Sequence, residues 1–490
     1  MPSDDRRPQI VIVGGGFCGA ALALHLVRIA ERPLAITVIE PAAELGRGIA
    51  YAGSDPVHRI NIPAARMAVF RDAPDDFHRF AERIGAFASD PEGLQPNGDF
   101  YARRRLFGDY VGALLAEAVA ARPHIRLAHV QAQAVGWRDG KALLDDGRLI
   151  DADALAIATG NPRPALPAAI AALAGDSRVV ADPWVENATA FGRDARVLVL
   201  GTGLTMADAV ATLITRGHRG AITAISRHGL RQRRKRPGPY RPEVDFAALP
   251  GDTALALLRS ARQAVREAET AGGSWEDVIE ALRLQGRAIW QRLGEAERRR
   301  LLRHLRPWWD VHRYQVAPPI DDLLVIAIDR GQLVIRAGHV TRIDGSSDVL
   351  TVTWRARGRR ETATEAFDHV INATGPAVSH ITTSNPFLAD LESRGLIRRD
   401  PLGLGLATDS EGAALGSSEP PLPIVVLGTL ARAAYGELAG IRELSAQAGG
   451  VALALARRFR LADPLPPRGD ILHDVRQART AAQPSREPIC

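Results

Sequence analysis

Cysteine is nearly missing from this chain of 490 residues: only Cys18 and Cys490 occur, and no Cys-x-x-Cys pair. The absence of that pair excludes the dithiol relay by which disulfide reductases pass electrons, and two cysteines this far apart provide no disulfide framework. Also missing is an uninterrupted apolar segment long enough to cross a bilayer. Arg6 and Arg7 precede an apolar run, as in a signal peptide, but no small-residue cleavage site follows, and a strand and helix explain the same residues better. Aromatic residues make up 5% of the chain and do not interleave with its basic runs, Arg231 to Arg236 (RQRRKR) and Arg298 to Arg300. Stacking on nucleic acid needs both together. These absences leave the expectation of a cytoplasmic protein with no membrane, nucleic-acid or metal partner.

The residues that are present suit a globular enzyme: 46% are hydrophobic and 24% charged, in a chain long enough for two or three domains. Lys and Arg (62) exceed Asp and Glu (56) by a modest +6. The excess reads either as solvated surface arginine or as a positive funnel for cofactor phosphates and an anionic substrate.

The most informative stretch is Gln9 to Gly19, QIVIVGGGFCG. An apolar strand runs into Gly14-x-Gly16-x-x-Gly19, with Phe17 and Cys18 inside the motif, and a helix pattern follows at once. Glu40 closes a second apolar strand, AITVIE. This is the context a dinucleotide fingerprint requires. Gly14 makes the tight turn, Gly16 admits a pyrophosphate, Gly19 lets helix pack on strand, and Glu40 suits a ribose diol. Loop-like segments follow, ELGRGIAY and HRINIPAARM, in which Asn61 and Arg66 are candidates to face a flavin ring. A helix over Asp99 to Ala121, a β-meander from Ile125, and a buried strand ending in Ala158-Thr159-Gly160 come next.

The order then repeats. Arg196 to Leu200 is a strand, Gly201-Thr202-Gly203-Leu204-Thr205 a turn, and a helix follows with Met206 where the first copy has Gly19. The next strand ends in Ser226-Arg227-His228 where the first has Glu40, and a cationic, hydroxyl-bearing end suits a 2′-phosphate, favouring NADPH over NADH. A second meander and a second strand ending in Ala373-Thr374-Gly375 complete the repeat. Between the halves, Arg236 to Pro319 shows amphipathic helical spacing. Trp290, Trp308, Trp309, His304, His312 and Arg313 gather near its end, either as packed core or as a substrate-facing wall. From Leu422 a strand leads to Glu437 and a helix beginning at Gly440-Ile441. Its N–H groups are placed to stabilise charge on a reduced flavin.

With GGGFCG, LGRGIAY, RINIPAARM, GTGLTMAD, INATGP and VLGTLAR…GELAGIREL on the page, the chain resembles the FAD/NAD(P)-binding flavin monooxygenase family that includes FAD-dependent urate hydroxylase and an aspartate N-monooxygenase. The resemblance implies an α/β fold with two Rossmann-like dinucleotide-binding domains, the NAD(P) domain inserted in the FAD domain, plus a helical insertion. It assigns FAD to Gly14, Gly16, Phe17, Cys18, Gly19 and Glu40, with Gly160, Gly375, Gly440 and Ile441 returning to the cofactors, and NAD(P)H to Gly201, Gly203, Thr205 and Arg227. The expected division is 1–190 FAD-binding domain, 191–236 NAD(P)-binding domain, 237–320 helical insertion, 321–368 NAD(P)-binding domain again, 369–463 FAD-binding return, and 464–490 a mobile tail. The Baeyer–Villiger fingerprint, FxGxxxH followed by WP, is absent between the nucleotide motifs. The expected reaction is NAD(P)H- and O2-dependent hydroxylation of a small polar anion, with urate going to 5-hydroxyisourate in purine catabolism as the first choice. N-hydroxylation of an amino acid such as aspartate is the alternative, and a flavin reductase without oxygen transfer a further one. For catalysis itself only Asn61, Arg66, His312 and Arg313 are candidates.

Overall fold

The computed structural model describes residues 7–184, 191–346 and 348–463, so the expected tail at 464–490 lies outside the described residues. The strands in chain order are β1 (Gln9–Val13), β2 (Leu34–Ile39), β3 (Ile125–Val130), β4 (Ala134–Arg138), β5 (Lys141–Leu144), β6 (Leu149–Asp151), β7 (Ala154–Ile157) and β8 (Val179–Val180). They continue with β9 (Val197–Leu200), β10 (Ile222–Ser226), β11 (Leu333–Asp344), β12 (Leu350–Ala356), β13 (Thr362–Phe367), β14 (His369–Asn372) and β15 (Ile424–Val426).

The first sheet is parallel, in the order β15-β7-β1-β2-β3. Its central strands are apolar and buried, as a parallel sheet covered on both faces requires. The helix Phe17–Ile29 lies between β1 and β2 in sequence, and the C-terminal helix Ile441–Arg458 packs against it. The second sheet has the order β13-β12-β11-β10-β9-β14-β8. β11 belongs to two arrangements. Its first half, from Leu333 to Ala337, runs parallel to β10, and its second half, from Gly338, runs antiparallel to β12. Gly338 stands at the switch, where a side chain would begin 2.8 Å from both the Arg355 carbonyl and the Trp354 ring. The second meander is therefore an extension of the second sheet, whereas the first, β4-β5-β6, is a separate three-stranded sheet.

Two sequence expectations change. The segment from Ile125 does not open the meander: β3 pairs in parallel with β2, Leu34 opposite Ile125, because the helix Arg104–Ala120 before it completes a crossover back to the sheet edge. The boundaries at 190 and 369 also cut through the second sheet. Val179–Val180 and His369–Asn372, both expected in the FAD-binding part, pair with each other there, and β14 pairs with β9.

The insertion is built from helices Ala254–Thr270, Trp275–Leu284, Gly286–Arg292, Glu295–His304 and Arg306–Arg313 around Phe246, Val278, Ala281 and Ile289. Thr253 caps the first, and Ser274 with Asp277 forms a capping box on the second. The Asp277 carboxylate also takes Arg236 at 2.9 Å and the Arg241 N–H at 2.8 Å, which ties the entering strap to that helix. The strap is held again by backbone pairing of Arg233 and Lys235 with Val316. Most of the RQRRKR run is thus ion-paired structure: Arg231 takes Asp321, Arg234 takes Asp322 and Arg236 takes Asp277.

Candidate functional site

Each glycine turn is shaped by a strand that returns beside it. Gly14 has φ +104, and a Cβ there would sit 2.3 Å from the Ala158 carbonyl oxygen. Gly201 has φ +112, and its Cβ would sit 2.3 Å from the Ala373 carbonyl oxygen. The two Ala-Thr-Gly strands therefore press against the two turns in the same way, and only glycine fits either place. Gly160 (φ +73) and Gly375 (φ +86) follow with open space around them. A Cβ on Gly16 would lie 3.3 Å from the Gly48 backbone, and Gly46 donates its N–H to the Gly15 carbonyl at 2.7 Å, so the loop after β2 folds back over the first turn.

Neither helix that follows a turn, Phe17–Ile29 or Leu204–Thr215, has a side-chain cap. Their first N–H groups are left for an anion. Thr159 Oγ1 and Gln232 Oε1, beside the first and second turns, are buried without a protein partner. Two glycine cradles, two uncapped helix starts and two orphaned polar atoms fit a pair of bound dinucleotides. Glu40 points at the first turn, its carboxylate accepting the Gly15 N–H at 2.7 Å and the Ala42 N–H at 3.0 Å. Gly203 lies 3.6 Å from Gln232 Nε2 (measured from an ideal Cβ), with Thr205 in the first helical turn after it. At the far strand end Arg227 is exposed, while burial and the charges of Arg357 and Arg227 hold His228 below its usual range.

Two motif residues serve packing. The Phe17 ring stacks against Phe107 at 5.7 Å inside the core, and burial raises the Cys18 thiol to about 12, so it is not a nucleophile.

Three of the four catalytic candidates, Asn61, Arg66 and Arg313, lie about the strap and the start of the helix Ile441–Arg458. Asn61 Nδ2 donates to the Gln315 carbonyl at 2.8 Å. Arg66 donates to the Gly238 carbonyl and lies 5.2 Å from the centre of the Tyr240 ring. Lys235 and Arg236 approach the same ring at 4.7 Å and 5.1 Å. Arg313 pairs with Glu437 at 3.1 Å and reaches Glu443 at 3.9 Å, in the first turn of Ile441–Arg458. Gly440 caps that helix, with Ile441 its first residue. His312 is separate from this group: it bonds the Trp308 carbonyl at 2.7 Å and meets Trp275 edge-on at 5.0 Å, inside the helical insertion.

Sequence reading missed the charges that complete the cluster. Arg283 bridges Glu280 and Glu443. Burial opposes the charge of Glu280, yet its hydrogen bonds to Arg283 hold its carboxyl at about 2. Burial lowers Lys235 to about 8 against the pull of Glu280, helped by Arg66, Arg313 and Arg283. Among the described residues, neither Arg66 nor Lys235 has a carboxylate within ion-pair distance. The basic run was the only signal for Lys235, and nothing in it separates this residue from its paired neighbours.

Residues 11–162 match a family described as FAD-NAD(P)-binding. Among solved structures, the chain is similar to an ornithine N-hydroxylase from Kutzneria sp. 744, described with reduced FAD, NADP+ and L-ornithine (18% identity, 92% of this chain and 100% of that one, TM-score 0.62). It is also similar to the reduced ornithine hydroxylase of Pseudomonas aeruginosa (16% identity, 93% and 100%, TM-score 0.62). L-lysine 6-monooxygenase of Pseudomonas syringae aligns likewise (18% identity, 91% and 99%, TM-score 0.61). A search of curated proteins found no match. At these identities the likeness establishes a shared fold, two nucleotide-type α/β sheets with a helical insertion.

Proposed function

We propose that the chain is an FAD- and NADPH-dependent N-hydroxylating monooxygenase acting on an amine that also carries a carboxylate, an amino acid or a close relative. The observation that carries this reading is the end-to-end likeness to ornithine and lysine hydroxylases of a chain with two uncapped glycine turns. Urate, the first expectation from sequence, draws no support from these neighbours, and the amino-acid alternative does.

In this reading Gly14, Gly16, Gly19 and the uncapped helix start hold the FAD pyrophosphate, Glu40 takes a ribose diol, and Gly440-Ile441 lies at the flavin edge. Gly201, Gly203 and Thr205 hold the NADPH pyrophosphate, and Arg227 its 2′-phosphate. When bound and reduced by NADPH, FAD would activate O2, one atom of which goes to the amine and the other to water. The chain's own task is to present the amine neutral and oriented. Arg66 and Lys235, lacking acidic partners, are suited to clamp the carboxylate. Their positive field also disfavours an ammonium beside them, which favours the neutral amine with its free lone pair. The Tyr240 ring lies within cation–π distance of both Arg66 and Lys235 and gathers the two cations about one aromatic face.

The test is a substrate panel of amino acids, other amines and urate, scored by stimulated NADPH consumption and by product mass. A product heavier by one oxygen from an amino acid supports the reading. Loss of urate absorbance with no amine turned over would replace it with the purine alternative. NADPH consumption under argon with an added electron acceptor, and no oxygenated product, would replace it with a reductase.

A further inference from the structure

The helical insertion and the loop before the helix Ile441–Arg458 line a half-open cavity of about 750 Å³ to which the proposed chemistry assigns no ligand. Its walls are mainly apolar and aromatic, including Leu257, Val278, Leu282, Trp275, Trp290 and Trp309, while the exposed Trp308, Arg262, Arg266 and Glu269 lie where it meets solvent. Its floor is charged. Arg306, Asp310, Tyr314, Arg432 and Glu437 line it on the side facing the loop before the C-terminal helix.

The acids of that floor are already engaged. Glu437 takes Arg313 at 3.1 Å and accepts from Trp309 Nε1 and the Tyr314 hydroxyl, each at 3.3 Å. Asp310 takes Arg306 at 3.5 Å, and burial raises its carboxyl above the usual range. Arg432 is left over. It makes no side-chain hydrogen bond or ion pair among the described residues, and its Nε is buried without a partner. Burial and the like charge of Arg306 push it below its ordinary range. A guanidinium on this floor, with the carboxylates of Asp310 and Glu437 beside it already paired, lacks one negative charge and two acceptor oxygens.

We propose that this cavity binds an amphipathic carboxylate, its apolar chain among the tryptophans and its carboxylate on Arg432. A planar carboxylate matches the guanidinium fork and relieves its repulsion with Arg306. On this floor an amine headgroup meets only carboxylates that are already paired, the exposed Glu269 elsewhere on the lining being the one acid without an ion pair among the described residues, and an alcohol leaves the charge of Arg432 unanswered. Glu437 belongs both to this floor and to the Arg313 ion pair, so occupancy is read as binding, apart from oxygen transfer.

The tryptophans provide the readout. The full-length flavoprotein is titrated with hexanoate, octanoate and decanoate, and with the matching alcohols and amines, while tryptophan fluorescence is followed. Affinity should rise roughly three- to fourfold per methylene along the carboxylates. The carboxylate should bind roughly tenfold or more tighter than the alcohol or amine of equal length. Arg432→Gln should erase that preference but keep the chain-length trend, and Val278→Trp, which fills the cavity, should abolish both. Circular dichroism and flavin content establish that each variant is folded. Equal binding of carboxylate and alcohol, tighter binding of the amine, no fluorescence response to any carboxylate, or an unchanged carboxylate preference in folded Arg432→Gln would each overturn the proposal. None of these outcomes bears on whether amino acids are hydroxylated, because NADPH turnover is measured separately.

Discussion

The two glycine turns share a design and differ in two places, and the differences separate two kinds of nucleotide site. Gly14 and Gly201 have nearly the same backbone conformation and the same close approach to a returning Ala-Thr-Gly strand, 2.3 Å from an imagined Cβ in both. Five residues on, the copies part. A Cβ on Gly19 would lie 2.0 Å from the Gly14 carbonyl oxygen, so helix and turn are in direct contact. Met206 holds the matching position in the second copy, fully buried, and its side chain packs where the first copy has backbone on backbone. The strand ends differ as well, Glu40 folded onto its own turn and Arg227 exposed. A tight turn closed over by its own acid and loop suits a resident cofactor. A looser one with an open cation suits a nucleotide that comes and goes.

The comparison breaks most completely at Gly14. Gly14→Ala adds a methyl group into the Ala158 carbonyl at a left-handed φ, a strain of about 1–3 kcal/mol before the contact is counted, and the protein should purify without flavin absorbance. A smaller effect is expected at Arg227. Removing a charge-assisted contact in Arg227→Ala should raise KM for NADPH by roughly tenfold and leave NADH unchanged, in initial-rate assays with both nucleotides. An equal loss with NADH would mean that Arg227 does not read the 2′-phosphate.

The smallest effect concerns pH. Lys235 titrates near 8 in the folded protein, against an ordinary 10.5, chiefly because it is buried. Between those values the unfolded chain holds a proton that the native chain has lost, so this residue adds stability as pH rises through the window. Its clamp weakens over the same range. KM for a carboxylate-bearing substrate should rise a few-fold above pH 8, and Lys235→Arg should flatten that step in a pH profile of KM while kcat keeps its own shape.

The strand, turn and helix of each nucleotide unit were legible in the sequence because each is local: glycine spacing, an apolar run and a strand end within about forty residues. The partners of the sheets were less so. β3 reads as meander until the crossover helix before it is placed, and Val179–Val180 is too short to carry a pattern. The charge cluster was invisible for a different reason. Arg283 and Glu443 are 160 positions apart, and Lys235 differs from the other members of its basic run only in what the folded chain puts beside it. The cavity could not be foreseen either, since helices that line a hollow and helices that fill a core have the same apolar period.

The most direct measurement pairs Gly14→Ala with Gly201→Ala, determining flavin content and then the rate of flavin reduction by NADPH under argon. The division of roles predicts that Gly201→Ala retains a full complement of FAD and is reduced far more slowly than the parent, while Gly14→Ala has no flavin to reduce. Loss of flavin from Gly201→Ala with retention in Gly14→Ala, or reduction of Gly201→Ala at the parent rate, would contradict it.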